Sequence, residues 1–123
     1  MTSWILVALG GGLGSLARFA CSSFILSRER KHLPGGVDFP YATIAINVTG
    51  SFLMGLLFAA GWEGNLYALF AEGFLGAFTT FSTYLYEGLS LLHSRKLGMG
   101  IFYLASSALL GVVCFFCGVA LVL

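Results

Sequence analysis

Four apolar runs, at roughly 4–26, 41–60, 66–92 and 97–123, fill almost the whole of this 123-residue chain. A helix that crosses the hydrocarbon layer needs about 20 apolar residues. Each run meets that length. Lipid supplies no hydrogen bonds, so only helices or closed barrels satisfy their own backbone at that depth. Runs this long and this uniformly apolar are helical. Charged residues make up 9% of the chain, against about 25% in soluble domains, too few to coat a water-exposed surface. The expected class is an all-α integral membrane protein, one domain over 1–123, with four transmembrane helices. The intervening connections are short, so neighbouring spans run antiparallel. The N-terminal run follows no basic segment and is longer than a signal-peptide core, so it reads as a retained helix. A net charge of +1 gives no electrostatic case for nucleic-acid binding.

The third run is the anomaly. Gly73 to Glu87 reads GFLGAFTTFSTYLYE, with hydroxyl side chains, glycines and a closing carboxylate inside a membrane span. Such residues must face protein, water or a solute. Glycine destabilises helix, and hydroxyls bond freed backbone groups. A helix break is expected near 76–80. The alternative is an unbroken helix whose small residues serve close packing. Phe74, Phe78 and Phe81 are either lipid-facing or core residues, or present positive ring edges to an anion.

The second span carries Thr43, Asn47, Ser51 and Gly55, each four residues apart and so on one helix face. Small and hydroxyl residues on one face make a packing seam. Asn47 is either part of that seam or a residue of a solute path. The fourth span repeats the pattern with Tyr103, Ser107 and Gly111, with Ser106 beside them. Neutral donors without cations suit a small anion that must bind weakly enough to leave. The first span has Gly10 and Gly14 in a GxxxG spacing, which favours tight helix contact, and Arg18 deep in the run. Arg18 snorkels to the charged connection, pairs with a carboxylate, or concentrates anions. Glu72 and Glu87 lie toward the two ends of the third span. No nucleophile, base and orienting group occur together, so an enzyme is not expected. Cys21, Cys114 and Cys117 sit in apolar runs and read as small buried residues rather than ligands.

The first and third connections share one side of the membrane and hold Arg28, Arg30, Lys31, Arg95 and Lys96, while the opposite side has no Lys or Arg. With one fixed topology, the positive-inside rule puts both termini outside the cytoplasm.

Three segments together resemble the small bacterial fluoride channels, the Fluc or CrcB family. They are GGGLGSLARF at Gly10 to Phe19, INVTGSF at Ile46 to Phe52, and GFLGAFTTFSTYLYE at Gly73 to Glu87. The resemblance spans nearly the whole chain. It implies an antiparallel, dual-topology dimer of four-helix subunits with two fluoride pathways and a broken third helix. It also implies a structural sodium ion at the dimer centre, held by carbonyls at positions matching Gly76 and Thr79. Pore aromatics map onto Phe81 and Tyr84, and the pore asparagine onto Asn47. The hydroxyl lane maps onto Thr43, Ser82, Thr83, Tyr103 and Ser107. The family arginine maps onto Arg18, and the acidic residue closing the third-helix motif onto Glu87.

Two departures stand out. Tyr84 replaces a second phenylalanine, adding a hydroxyl that either donates to the anion or narrows the path. Gly111 occupies a position that often carries a hydroxyl. The Lys/Arg asymmetry also bears on assembly, because an antiparallel homodimer needs each chain to insert both ways. A self-paired dimer is expected, with two oppositely oriented paralogous chains as the alternative. The implied function is passive export of cytoplasmic fluoride across the bacterial inner membrane. The rival is a proton-coupled dual-topology exporter, which would need a central acidic residue in the first helix; the first and second spans have none.

Overall fold

The computed structural model describes residues 2–32 and 40–123, with side chains of 2 and 29–32 left aside. Most of the first connection, including Arg30, Lys31 and Pro34, therefore lies outside the described residues or side chains. The regular structure of the described residues is all helical. Helix α1 covers Thr2–His32, α2 Tyr41–Ala59, α3 Gly64–Tyr67, a π-helical segment (π1) Ala68–Leu75, α4 Gly76–Phe78, α5 Phe81–His93 and α6 Leu97–Val122. Among the described residues, three helices are long and apolar enough to cross a membrane: α1, α2 and α6. The third apolar run is divided. Helix α5 has 13 residues, about 20 Å at 1.5 Å per residue, short of a ~30 Å hydrocarbon core.

Helix α3 continues without a gap through π1 and α4. The chain then leaves helix at Thr79 (ψ 158°) and Thr80 (φ −147°, ψ 121°), both extended, and re-enters it at Phe81. The interruption falls on the threonines, while Gly76 stays helical. The π segment has no signature in the local sequence.

Packing follows the small residues. The heaviest contacts are α2 on α6 and α1 on π1, followed by α5 on α6. A Cβ at Gly14 would overlap the Phe74 carbonyl, and one at Gly10 the Leu69 carbonyl. At the other crossing, a Cβ at Gly55 would meet the Phe115 carbonyl and one at Gly118 the Phe52 carbonyl. Close backbone approach of this kind drives helix association where lipid offers no hydrophobic gain.

The buried core is small: Ala42, Ile46, Ala68, Ala71, Leu75, Phe78, Leu91 and Tyr103. Large apolar side chains instead point outward, among them Trp4, Leu9, Leu16, Phe19, Phe102 and Leu109. That inversion is what a lipid solvent permits. The cysteines correct the sequence reading. All three are free, Cys21 and Cys117 are exposed and Cys114 is half-buried, so they are not core residues.

Candidate functional site

The extended pair Thr79–Thr80 is held by side chains rather than by helix. Asn47, from the middle of α2, clamps it at two points. Its Nδ2 donates to the Thr80 carbonyl at 2.9 Å, and its Oδ1 accepts the Thr80 N–H at 2.8 Å. The Thr80 hydroxyl caps α5 by accepting the Thr83 N–H at 3.3 Å. Thr79 turns back instead, with its hydroxyl donating to the Leu75 carbonyl at 2.9 Å and its N–H donating to the same oxygen at 3.0 Å. Gly50 gives this backbone room, since a Cβ there would overlap the Thr79 methyl.

These bonds have a consequence for two carbonyls. In a continuous helix the Gly76 carbonyl would accept from the Thr80 N–H, and the Thr79 carbonyl from the Thr83 N–H. Both amides are turned elsewhere, one to Asn47 and one to the Thr80 hydroxyl. Gly76 is exposed. A helix end with diverted amides leaves carbonyl oxygens suited to a hard cation.

Thr80 borders two cavities. The first, of about 530 Å³, lies between α2, the interruption and α6, and is lined by Asn47, Ser51, Thr79, Thr80, Phe81, Tyr84 and Ser107 among others. The second, of about 650 Å³, opens toward the charged connections. Its walls include Arg18, Thr43, Thr80, Thr83, Glu87 and Lys96. The structure thus brings Asn47, Phe81, Tyr84 and Ser107 together in one cavity, and Arg18, Thr43, Thr83 and Glu87 in the other.

Tyr103 is fully buried and lines neither cavity; its ring centroid lies 5.5 Å from that of Tyr84. Ser82 is exposed on α5 and lines neither cavity. Phe81 is 71% exposed, with its centroid 5.9 Å from that of Tyr84. The Tyr84 hydroxyl donates to the Leu104 carbonyl at 2.6 Å. Its proton therefore ties α5 to α6 and is not directed at the cavity.

Thr43 and Glu87, 44 residues apart in sequence, are joined. The Thr43 hydroxyl lies 2.9 Å and 3.1 Å from the two carboxylate oxygens and donates to them. Thr43 is buried. Losing a hydrogen bond to a buried or half-buried charged group costs about 1–3 kcal/mol. Thr43→Val is accordingly expected to lower the thermal midpoint in detergent, while Thr43→Ser keeps it.

Thr80 is the residue that sequence reasoning missed as a site member, although it borders both cavities. Its signal was present. A threonine immediately before a helix start is a preferred N-cap. Locating that start, however, needed the structure.

The profile of the CrcB-like protein family (camphor resistance, CrcB) matches residues 5–119. Among similar curated proteins, a fluoride-specific ion channel FluC 2 from Clostridium acetobutylicum is 37% identical over 94% of this chain and 93% of its own. A fluoride-specific ion channel FluC 2 from Bacillus thuringiensis subsp. konkukian is 36% identical over 98% of both chains. A fluoride-specific ion channel FluC from Thermus thermophilus is 38% identical over 96% of this chain and 93% of its own.

Proposed function

The chain belongs to the CrcB-like protein family, and on that premise we propose that it is a passive, fluoride-selective channel. It is a multi-pass protein of the bacterial plasma membrane, with no catalytic chemistry to perform. The observation that carries the reading is that Thr80, in the extended break, borders two cavities, one lined by Asn47, Ser107 and Phe81 and the other by Thr43 and Thr83. An anion entering the cavity beside Arg18 and Lys96 meets Thr83 and Thr80, then Asn47, Ser107 and the ring of Phe81. Fluoride holds its water strongly, so the walls must replace that water stepwise with donors. None of these donors is a fixed cation, which keeps binding weak enough for release.

Helices α1, α2 and α6 each cross the membrane, and the segments on either side of Thr79–Thr80 together form a fourth, broken crossing. Two copies pair antiparallel, with dual topology, in the lipid bilayer. The exposed Gly76 backbone and the diverted amides of Thr80 and Thr83 support a structural sodium ion at the seam. The carbonyls of Gly76 and Thr79 would hold it, and its charge would fix the two broken helices against each other. Arg18 and Glu87, both at the second cavity, tune its field: one attracts anions, and the other anchors Thr43. The strong Lys/Arg bias between the two sides favours a second assembly, in which this chain pairs with an oppositely inserted paralogue. Tagging the N-terminus and probing it from both sides of the membrane decides. Two orientations are expected in cells lacking any paralogue, and a single one would exclude the self-paired dimer.

Electrogenic flow separates the channel from a proton-coupled exporter. Liposomes loaded with potassium fluoride are expected to release it only after valinomycin carries potassium out alongside. Release that instead requires a pH gradient would contradict passive conduction. In the same assay Phe81→Ile, which removes the ring edge, is expected to slow efflux while leaving the chromatographic profile of the dimer unchanged. An unaltered rate would remove Phe81 from the path.

A further inference from the structure

We infer that the Ser51 hydroxyl is a rung of the anion path in this chain, standing where α6 has no hydroxyl to offer at Gly111; the inference rests on the fluoride-channel reading above.

The donors around the first cavity are mostly committed. The Thr79 hydroxyl proton goes to the Leu75 carbonyl and the Tyr84 proton to the Leu104 carbonyl. Asn47 spends one N–H and its oxygen on Thr80, leaving one N–H. Ser51 and Ser107 differ: both line the cavity, and neither hydroxyl makes a hydrogen bond among the described residues. Ser107 is 5% exposed. Ser51 is half-buried, and two hydroxyls that line a common cavity without a protein partner are poised for a solute or water.

Position decides what Ser51 adds. The hydroxyl row of α6, Tyr103 and Ser107, would continue four residues on at Gly111, which has no side chain, and then at Phe115. Beyond Ser107 the α6 wall of the cavity carries no hydroxyl. Ser51 sits one turn beyond Asn47 on α2, about 6 Å along the axis. A Cβ at Gly111 would stand 3.5 Å from the Ser51 Oγ, an ordinary contact distance. The two positions therefore face one point in the cavity from opposite walls. An ion passing Asn47 and Ser107 meets Ser51 there; without it, the next stretch is apolar and the ion loses its coordination, which is costly.

The geometry supplies its own test, because a hydroxyl placed at Gly111 reaches the same point. Fluoride efflux is measured from liposomes holding the parent, Ser51→Ala, Gly111→Ser or the double variant, each first checked for the parental elution profile. Ser51→Ala is expected to slow efflux about fivefold, the value of one hydrogen bond near 1 kcal/mol, and Gly111→Ser in that background to restore most of the rate. Ser51→Cys, which keeps the volume, replaces Ser51→Ala if the latter fails to assemble, and is expected to be slowed in the same way. A parental rate in Ser51→Ala overturns the inference, as does a slowed variant that Gly111→Ser leaves slow, since a packing role at Ser51 is not rescued from the opposite helix. Absence of efflux from the parent itself overturns the channel reading and this inference with it.

Discussion

Replacing Asn47 with alanine is expected to cut fluoride efflux by at least about tenfold, the effect of raising the barrier by about 1.4 kcal/mol. The carboxamide holds both polar groups of the Thr80 backbone. Removing it leaves an amide and a carbonyl without partners at membrane depth, each costing about 1–3 kcal/mol. The simplest relief is for the Thr80 N–H to return to the Gly76 carbonyl, closing the helix across the interruption. That movement would withdraw one of the two carbonyls available to a cation and reshape the wall shared by both cavities. Asn47→Asp separates the clamp from the donor. Its carboxylate still accepts the Thr80 N–H, yet it gives no N–H to the Thr80 carbonyl and repels an anion. It is expected to assemble normally and to conduct more slowly still. The check is efflux rate beside elution profile for each variant. An Asn47→Ala protein conducting at the parental rate would show that the clamp serves neither path nor break.

Gly14→Ala is expected to be among the most damaging single-methyl changes for stability, costing about 3 kcal/mol, at the upper end of the usual range for overpacking. Its Cβ would overlap the carbonyl of Phe74, a backbone group that cannot rotate aside, and the Cα of Phe74 stands close behind. Helix α1 must then move off π1 along their whole contact, because Gly10 sits equally tightly on the Leu69 carbonyl one turn earlier. Gly12→Ala is the control. Nothing lies within 4 Å of a Cβ at that position, and alanine is the better helix former by about 1 kcal/mol. Thermal midpoints in detergent check the pair: a marked fall for Gly14→Ala and no fall for Gly12→Ala. Equal midpoints would remove the close α1–π1 approach as a source of stability.

Much of this molecule was legible in its residues, for identifiable reasons. The limits of α2 and α6 lie close to where the apolar runs stop, and the GxxxG pair in α1 announced a close helix contact that Gly10 and Gly14 make. The stripe Thr43, Asn47, Ser51 marked one face of α2, and each of these residues lines a cavity. What the sequence hid depends on long-range partners. The i+4 spacing shows that Thr43 and Asn47 share a face, but not that one meets Glu87 and the other the Thr80 backbone. Glycines and hydroxyls together marked 76–80 as the stretch where a break was expected, without picking a residue. The interruption falls at Thr79–Thr80 because Asn47 and the Thr80 hydroxyl offer the backbone alternative bonds there. The π segment and the commitment of the Tyr84 hydroxyl to Leu104 leave no local trace, since both depend on how α1 and α6 pack.

On the proposed function the chain passes fluoride selectively, and one comparison tests that most directly. Purified protein is reconstituted into two sets of liposomes that differ only in the trapped potassium salt, fluoride or chloride, and anion release is recorded after valinomycin is added. Rapid fluoride release, with chloride release no faster than from protein-free liposomes, is the expected result. Chloride leaving as fast as fluoride, or fluoride leaving no faster than from protein-free liposomes, would contradict it.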